Sequence, residues 1–138
     1  MWVTAYVDAS FKEKGTWAVW LRSESGRIVE HGQCPVEVWD NIRAEFYAAI
    51  KAVEIAVERW PHTTGVLIVS DCQTVVDYTP HLAEDARGDL RTLQRQIRKA
   101  LGGRFVRTKK IKGHQDPRRG VGAYLNNQVD KLAGNAHR

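Results

Sequence analysis

The chain of 138 residues has few cysteines, no long apolar run and fewer acids than bases, and each shortage closes off a class of protein. Its two cysteines, Cys34 and Cys72, stand far apart without CxxC spacing. Neither a zinc knuckle nor a secreted disulfide scaffold is expected, and a reducing cytoplasm is the simplest location. No stretch approaches the length of a membrane span, and "MWVTAYVDAS" carries neither a basic leader before an apolar run nor a cleavage site, so no membrane partner is expected. Repeats, low-complexity tracts and linkers are absent, which makes residues 1–138 one expected domain, a monomer. No nucleophile elbow occurs, and His31, Cys34, His62 and Cys72 lack ligand spacing, against a serine hydrolase or a zinc enzyme. With 16 Asp and Glu against 21 Lys and Arg, the balance suits a polyanionic partner such as nucleic acid.

What is present reads as strands first and alternation afterwards. "WVTAYVD", "TWAVWLR" and a segment near "IVEHGQ", the last two joined by the turn "SESGR", predict three successive antiparallel strands. From Asn41 to Trp60 the period changes. Phe46, Ile50, Val53, Val57 and Trp60 recur at spacings of three and four, which predicts an amphipathic helix with Asp40 or Asn41 as cap and Pro61 beyond its end. "GVLIVSD" is a continuous apolar run of the kind buried on both faces in a parallel strand. Leu90, Leu93, Ile97 and Leu101 predict a helix within 81–101, closed by Gly102 and Gly103, before the strand-like "RFVRTKKI". A last helix carries Leu125, Val129, Leu132 and Ala136. The expected fold is α/β, a mixed five-stranded sheet of three antiparallel strands followed by parallel ones, with helices on both faces.

Four acids stand at telling places on that framework. Asp8 is predicted to end the first strand and Asp71 to end the buried parallel strand, where open α/β sheets put their sites. Glu45 lies in the first turns of the long helix and shares a face with Ala49, Ala52 and Ala56, small side chains that let the helix press against the sheet near Asp8. Asp130 lies on the last helix. Carboxylates gathered at one sheet edge repel unless cations sit among them, and hard divalent ions with oxygen ligands resolve the repulsion. Read singly, each acid also suits a helix cap, a surface charge or half of an ion pair.

Together "VDAS", "NIRAEFYAAIKAVE", "VLIVSDCQTVV" and "IKGHQ" followed by "NNQVDKLAGNA" resemble the type 1 ribonuclease H family, in the family's order and across essentially the whole chain. The resemblance implies an endoribonuclease that hydrolyses the RNA strand of RNA/DNA hybrids by two-metal-ion catalysis and leaves 3′-hydroxyl and 5′-phosphate ends. It implies Asp8, Glu45, Asp71 and Asp130 as ligands of two magnesium ions, with manganese able to substitute. His114 would assist proton movement or product departure, imidazole titrating near neutral pH, although an exposed loop histidine would look the same.

By the same resemblance, Asn41 and Gln73 match side chains that touch the minor groove of the hybrid. Arg43 matches an arginine of the same helix turn and equally suits an ion pair with a nearby acid. The stretch with Arg104, Arg107, Lys109, Lys110 and Lys112, then Arg118 and Arg119, is either a phosphate track or a solvated basic face. Ala9 stands where the family often has glycine, the loop "SFKEKGTW" is short, and the basic handle helix and an N-terminal hybrid-binding domain are both expected to be missing. Arg118 and Arg119 are expected to substitute in part for the handle. The rival readings are a structure-selective DNA nuclease of the same fold and a non-catalytic nucleic-acid-binding module.

Overall fold

Strand β1 (Trp2–Phe11) folds back through a hairpin onto β2 (Gly15–Ser23), which folds back onto β3 (Gly26–Gln33). The structure, a computed structural model, describes residues 1–80 and 88–112. Gly26 takes the left-handed φ of 135° that the tight β2–β3 turn requires. Helix α1 (Asn41–Arg59) then crosses to β4 (Gly65–Ser70), which lies parallel to β1, and after α2 (Gln73–Tyr78) and α3 (Gly88–Leu101) the chain adds β5 (Phe105–Lys110), parallel to β4. The sheet order is β3-β2-β1-β4-β5, the mixed topology expected.

The local chemistry explains these elements. Asp40 is the cap of α1: its Oδ1 accepts the Arg43 backbone N–H at 2.8 Å, and Asn41 is the first helical residue. Ala44, Ala48, Ala49, Ala52 and Ala56 are all fully buried, so a stripe of methyl groups brings the helix axis close to β1 and β2. Phe46, Ile50 and Val53 extend that contact to Val3, Val7, Val19, Leu21, Val66 and Ile68, each burial stabilising by roughly 1.5–3 kcal/mol. Helix α3 packs beside α1, placing Leu90, Ile97 and Leu101 in the same core, and Gly102 and Gly103, at φ 57° and 86°, end it. On the opposite face of the sheet a smaller cluster of Tyr6, Ala18 and Val69 is buried. The helix expected to carry Leu125, Val129, Leu132 and Ala136 lies outside the described residues.

Two expectations change. Helix α2 is not visible in the apolar pattern, because six residues give too few turns for periodicity and only Val75 is buried. Asp8 does not end β1. The parallel ladder with β4 stops at Tyr6 and Val69, but the antiparallel ladder with β2 continues through Phe11 and Gly15, so the strand outlasts Asp8 by three residues. The hydrophobic run ends where one neighbour ends, whereas the hydrogen-bonded strand ends where the other does.

No helix among the described residues is long and apolar enough to cross a membrane.

Candidate active site

The early end of the β1–β4 ladder opens a gap at the carboxyl end of two parallel neighbours. Asp8 lies two residues past the last parallel pair, and Asp71 is the first residue beyond β4. The turn after Asp71 is set by the Ser70 Oγ, which accepts the Cys72 backbone N–H at 3.0 Å. From the facing helix, Glu45 reaches the same gap. Carboxylate oxygens of Asp8, Glu45 and Asp71 all lie within 4.8 Å of one another, Asp8 and Glu45 buried and Asp71 half-buried. The Asp8 Oδ1 also accepts the Ala9 backbone N–H at 2.9 Å, which fixes its side chain. These acids line a cleft of about 590 Å³ together with Ser10, Lys12, Asn41, Ile42 and Cys72.

Electrostatics make the arrangement unstable as three bare anions. At such separations each ionised pair costs on the order of 3 kcal/mol at an effective dielectric constant near 20. Burial, then the charges of Asp8 and Asp71, push the Glu45 carboxyl well above the usual range, and a side-chain hydrogen bond with Asp8 adds to the effect. The Glu45 carboxyl thus favours its protonated form more than an ordinary glutamate does. Its Oε2 is buried without a hydrogen-bond partner among the described residues, an acceptor with nothing yet to accept. An all-oxygen donor set of this kind fits a hard divalent cation.

The other predicted residues fall in different places. Asn41 is exposed at the first turn of α1 and lines the acidic cleft. Gln73 is exposed at the start of α2, its Nε2 donating to Asp77 Oδ1 at 2.7 Å. Arg43 is buried, paired with Asp40, with its guanidinium 4.1 Å from the centre of the Trp39 ring. It lines a second cavity of about 410 Å³ beside Trp39, Tyr47 and Leu93. Arg104 is no part of a phosphate track: its guanidinium donates to the carbonyls of Thr63, Pro61 and Leu101, tying the turn after α3 to the loop before β4. His114, Arg118, Arg119 and Asp130 lie outside the described residues. Lys12, in the β1–β2 hairpin, was missed as a cleft residue; the basic character of "SFKEKGTW" was its signal.

Comparison with known proteins agrees with this fold. The family model described as RNase H matches residues 2–138. Among solved structures, the RNase H1 of the halophilic archaeon Halobacterium salinarum is 23% identical with a TM-score of 0.74, covering 99% of this chain and 97% of that one. LC11-RNase H1, solved in complex with an RNA/DNA hybrid, is 14% identical with a TM-score of 0.75, over 97% of this chain and 95% of that one. The N-terminal RNase H domain of rv2228c from Mycobacterium tuberculosis is 16% identical with a TM-score of 0.74, over 98% and 92%. Comparison with curated proteins gives no match. The family match over nearly the whole chain defines a hydrolase of nucleic acid. The chain belongs to the RNase H family, whose enzymes are ribonuclease H hydrolases.

Proposed function

We propose that this protein is an endoribonuclease that cuts the RNA strand of RNA/DNA hybrids with the help of divalent metal ions, leaving 3′-hydroxyl and 5′-phosphate ends. The observation that carries the reading is the meeting of Asp8, Glu45 and Asp71 in one cleft, within a family of hybrid-cleaving enzymes. Asp8, Glu45, Asp71 and Asp130 would hold two magnesium ions, with manganese an acceptable substitute. Bound there, the ions supply Lewis-acid activation of a water and neutralise charge on the departing 3′ oxygen.

The chain's own residues do the rest. Asp8, held by the Ala9 amide, gives the cleft a fixed carboxylate, and Glu45, whose carboxyl is pushed above the usual range by burial and by its acidic neighbours, would supply a further oxygen ligand to a cation. Asn41 and Gln73 flank the acids at the starts of α1 and α2, and both side chains donate and accept hydrogen bonds, which suits reading of 2′-hydroxyls in a minor groove. Lys12 offers a phosphate contact at the mouth of the cleft. Arg43 has a structural part, bracing the first turn of α1 through Asp40 and Trp39. His114 would assist proton movement or product departure, and Arg118 and Arg119 would contact the phosphate backbone of the substrate. A monomer in the cytoplasm meets these needs.

The test is magnesium-dependent cleavage of matched, labelled RNA/DNA, RNA/RNA and DNA/DNA duplexes. Cutting confined to the RNA of the hybrid is expected. Cutting of DNA duplexes would identify a structure-selective DNA nuclease, and binding without cutting a non-catalytic module.

A further inference from the structure

The far end of the sheet carries a surface that the acidic cleft does not use. Side chains alternate along strands, so the registers place Arg27, Arg22, Thr4, Leu67 and Arg107 in one row across all five strands of the face that bears Tyr6 and Val69. The next row toward the strand starts holds Trp2, Gly65 and Phe105. Three arginines and two aromatic rings thus share one edge of one face, and neither row contains an acid.

These groups are open to solvent. Trp2 is 42% exposed and Phe105 65%, although both are large apolar rings. Their planes are within 11° of parallel with centroids 6.4 Å apart, and the Arg107 guanidinium stands 5.4 Å from the Trp2 ring centre. Gly65 makes this possible: a Cβ there would lie 2.6 Å from the Trp2 ring, so only glycine lets the indole lie over β4 toward Phe105. Arg22, Arg27 and Arg107 are exposed, and none has a carboxylate within ion-pair distance among the described residues.

We propose that this edge is a binding site for single-stranded nucleic acid, distinct from the acidic cleft. Exposed rings stack on unpaired bases of any sequence, while in a duplex the bases already stack on one another; the arginine row then follows the phosphates. Trp2 and Asp8 stand six residues apart on β1, which is roughly 20 Å, so the strand held here is not the duplex lying over the carboxylates. The site does not depend on the reaction proposed for the cleft. It would retain an overhang or a displaced strand beside the domain.

Fluorescence anisotropy of short labelled oligothymidylate and oligouridylate on the full chain in EDTA tests it, with cleavage of a blunt hybrid as the second readout. Wild type is expected to bind both oligonucleotides, Phe105→Ala to weaken binding about tenfold, and Phe105→Tyr to restore it, since tyrosine keeps the stacking face. Arg107→Ala should make the salt dependence shallower by about 0.7 in log–log slope. Blunt-hybrid cleavage should be unchanged in all three. The assignment is overturned by absence of wild-type binding, by Phe105→Ala binding like wild type, or by equal loss of blunt-hybrid cleavage. A shift of sedimentation toward smaller species in Phe105→Ala, with oligonucleotide binding intact, would instead make the edge a contact between copies.

Discussion

The two ends of β1 solve opposite electrostatic problems. At the carboxyl end Asp8 is buried with Glu45 and Asp71 close by, and like charges are crowded where water cannot screen them. At the amino end Arg107, Arg22 and Arg27 are spread across a row and left in solvent, where repulsion between them is weak. Crowded, buried charge creates a demand for a counter-ion. Spread, exposed charge creates only an attraction for polyanions. One sheet thus presents a place that needs a cation to one side and a place that invites phosphates to the other.

The largest way to break the contrast is to remove charge at the crowded end. Asp71→Asn keeps the size of the side chain but halves its oxygen donors, and cleavage of a labelled hybrid in magnesium is expected to fall more than about a hundredfold, since even outer partners of metal ligands cost 10- to 100-fold. Binding of the hybrid measured in EDTA should survive. Cleavage at the parent rate would remove Asp71 from the metal set.

The second effect tests whether a cation at this end of the molecule is structural or touches substrate. Arg43 is buried against Asp40 and Trp39 in the first turn of α1. Arg43→Ala removes the ion-pair partner of Asp40 Oδ2 and leaves the capping bond to Oδ1, and the Asp40 side chain is 30% exposed, so unfolding by denaturant should show a loss of about 2 kcal/mol, below the full cost of breaking a fully buried pair. Hybrid affinity of the folded variant should change less than twofold. A large affinity loss with unaltered stability would make Arg43 a substrate contact.

How legible all this was depends on the range of the interaction. Strands β1, β2 and β4 and helices α1 and α3 follow from apolar pattern, since each buries a face long enough to show it; β3 and β5, with one buried residue and none, are marked by the turn and glycine signals before them, and α2, with one buried residue, is not marked. That Asp8 and Asp71 sit at an open sheet end was readable because charge interrupts apolar runs there, and the alanine face of α1 foretold the approach of Glu45. Their mutual distance was not readable, because it depends on where the β1–β4 ladder stops. The roles of Arg43 and Arg104 were equally hidden: a basic residue looks alike in sequence whether it meets a phosphate, a carboxylate or three carbonyls. The Trp2 and Phe105 pair needs the register of three strands, and their separation in sequence gives no hint of it.

A third measurement sharpens the contrast through pH. In the absence of an ion, the Glu45 carboxyl titrates above its unfolded value of about 4.5, so the folded state holds the proton more tightly than the unfolded one. Its stabilising contribution is full below that value and is lost as pH rises through the raised folded value. Glu45→Gln mimics the protonated form at every pH. In EDTA at pH 8 the variant should therefore melt higher than the parent, and near pH 4 the two should melt together. Magnesium should raise the melting temperature of the parent more than that of the variant. A variant that melts lower in EDTA at pH 8 would mean that the Glu45 charge is already balanced within the protein.

The smallest effect is expected where charge is removed at the open end. Arg22 is exposed in a row with Arg27 and Arg107, and no carboxylate pairs with it among the described residues. Arg22→Ala gives up no ion pair and relieves a little like-charge repulsion, so the two consequences nearly cancel and the melting temperature should move by less than about 1 °C in either buffer. Cleavage of a blunt hybrid should be unaffected, because the row crosses β1 at Thr4, roughly 14 Å along the strand from Asp8, and the Debye length at physiological ionic strength is about 8 Å. A drop in melting temperature of several degrees would show that Arg22 is held by a partner and that the row is part of the fold's own charge balance. In that case the charge at the open end would be met by the protein itself rather than left to solvent and polyanions.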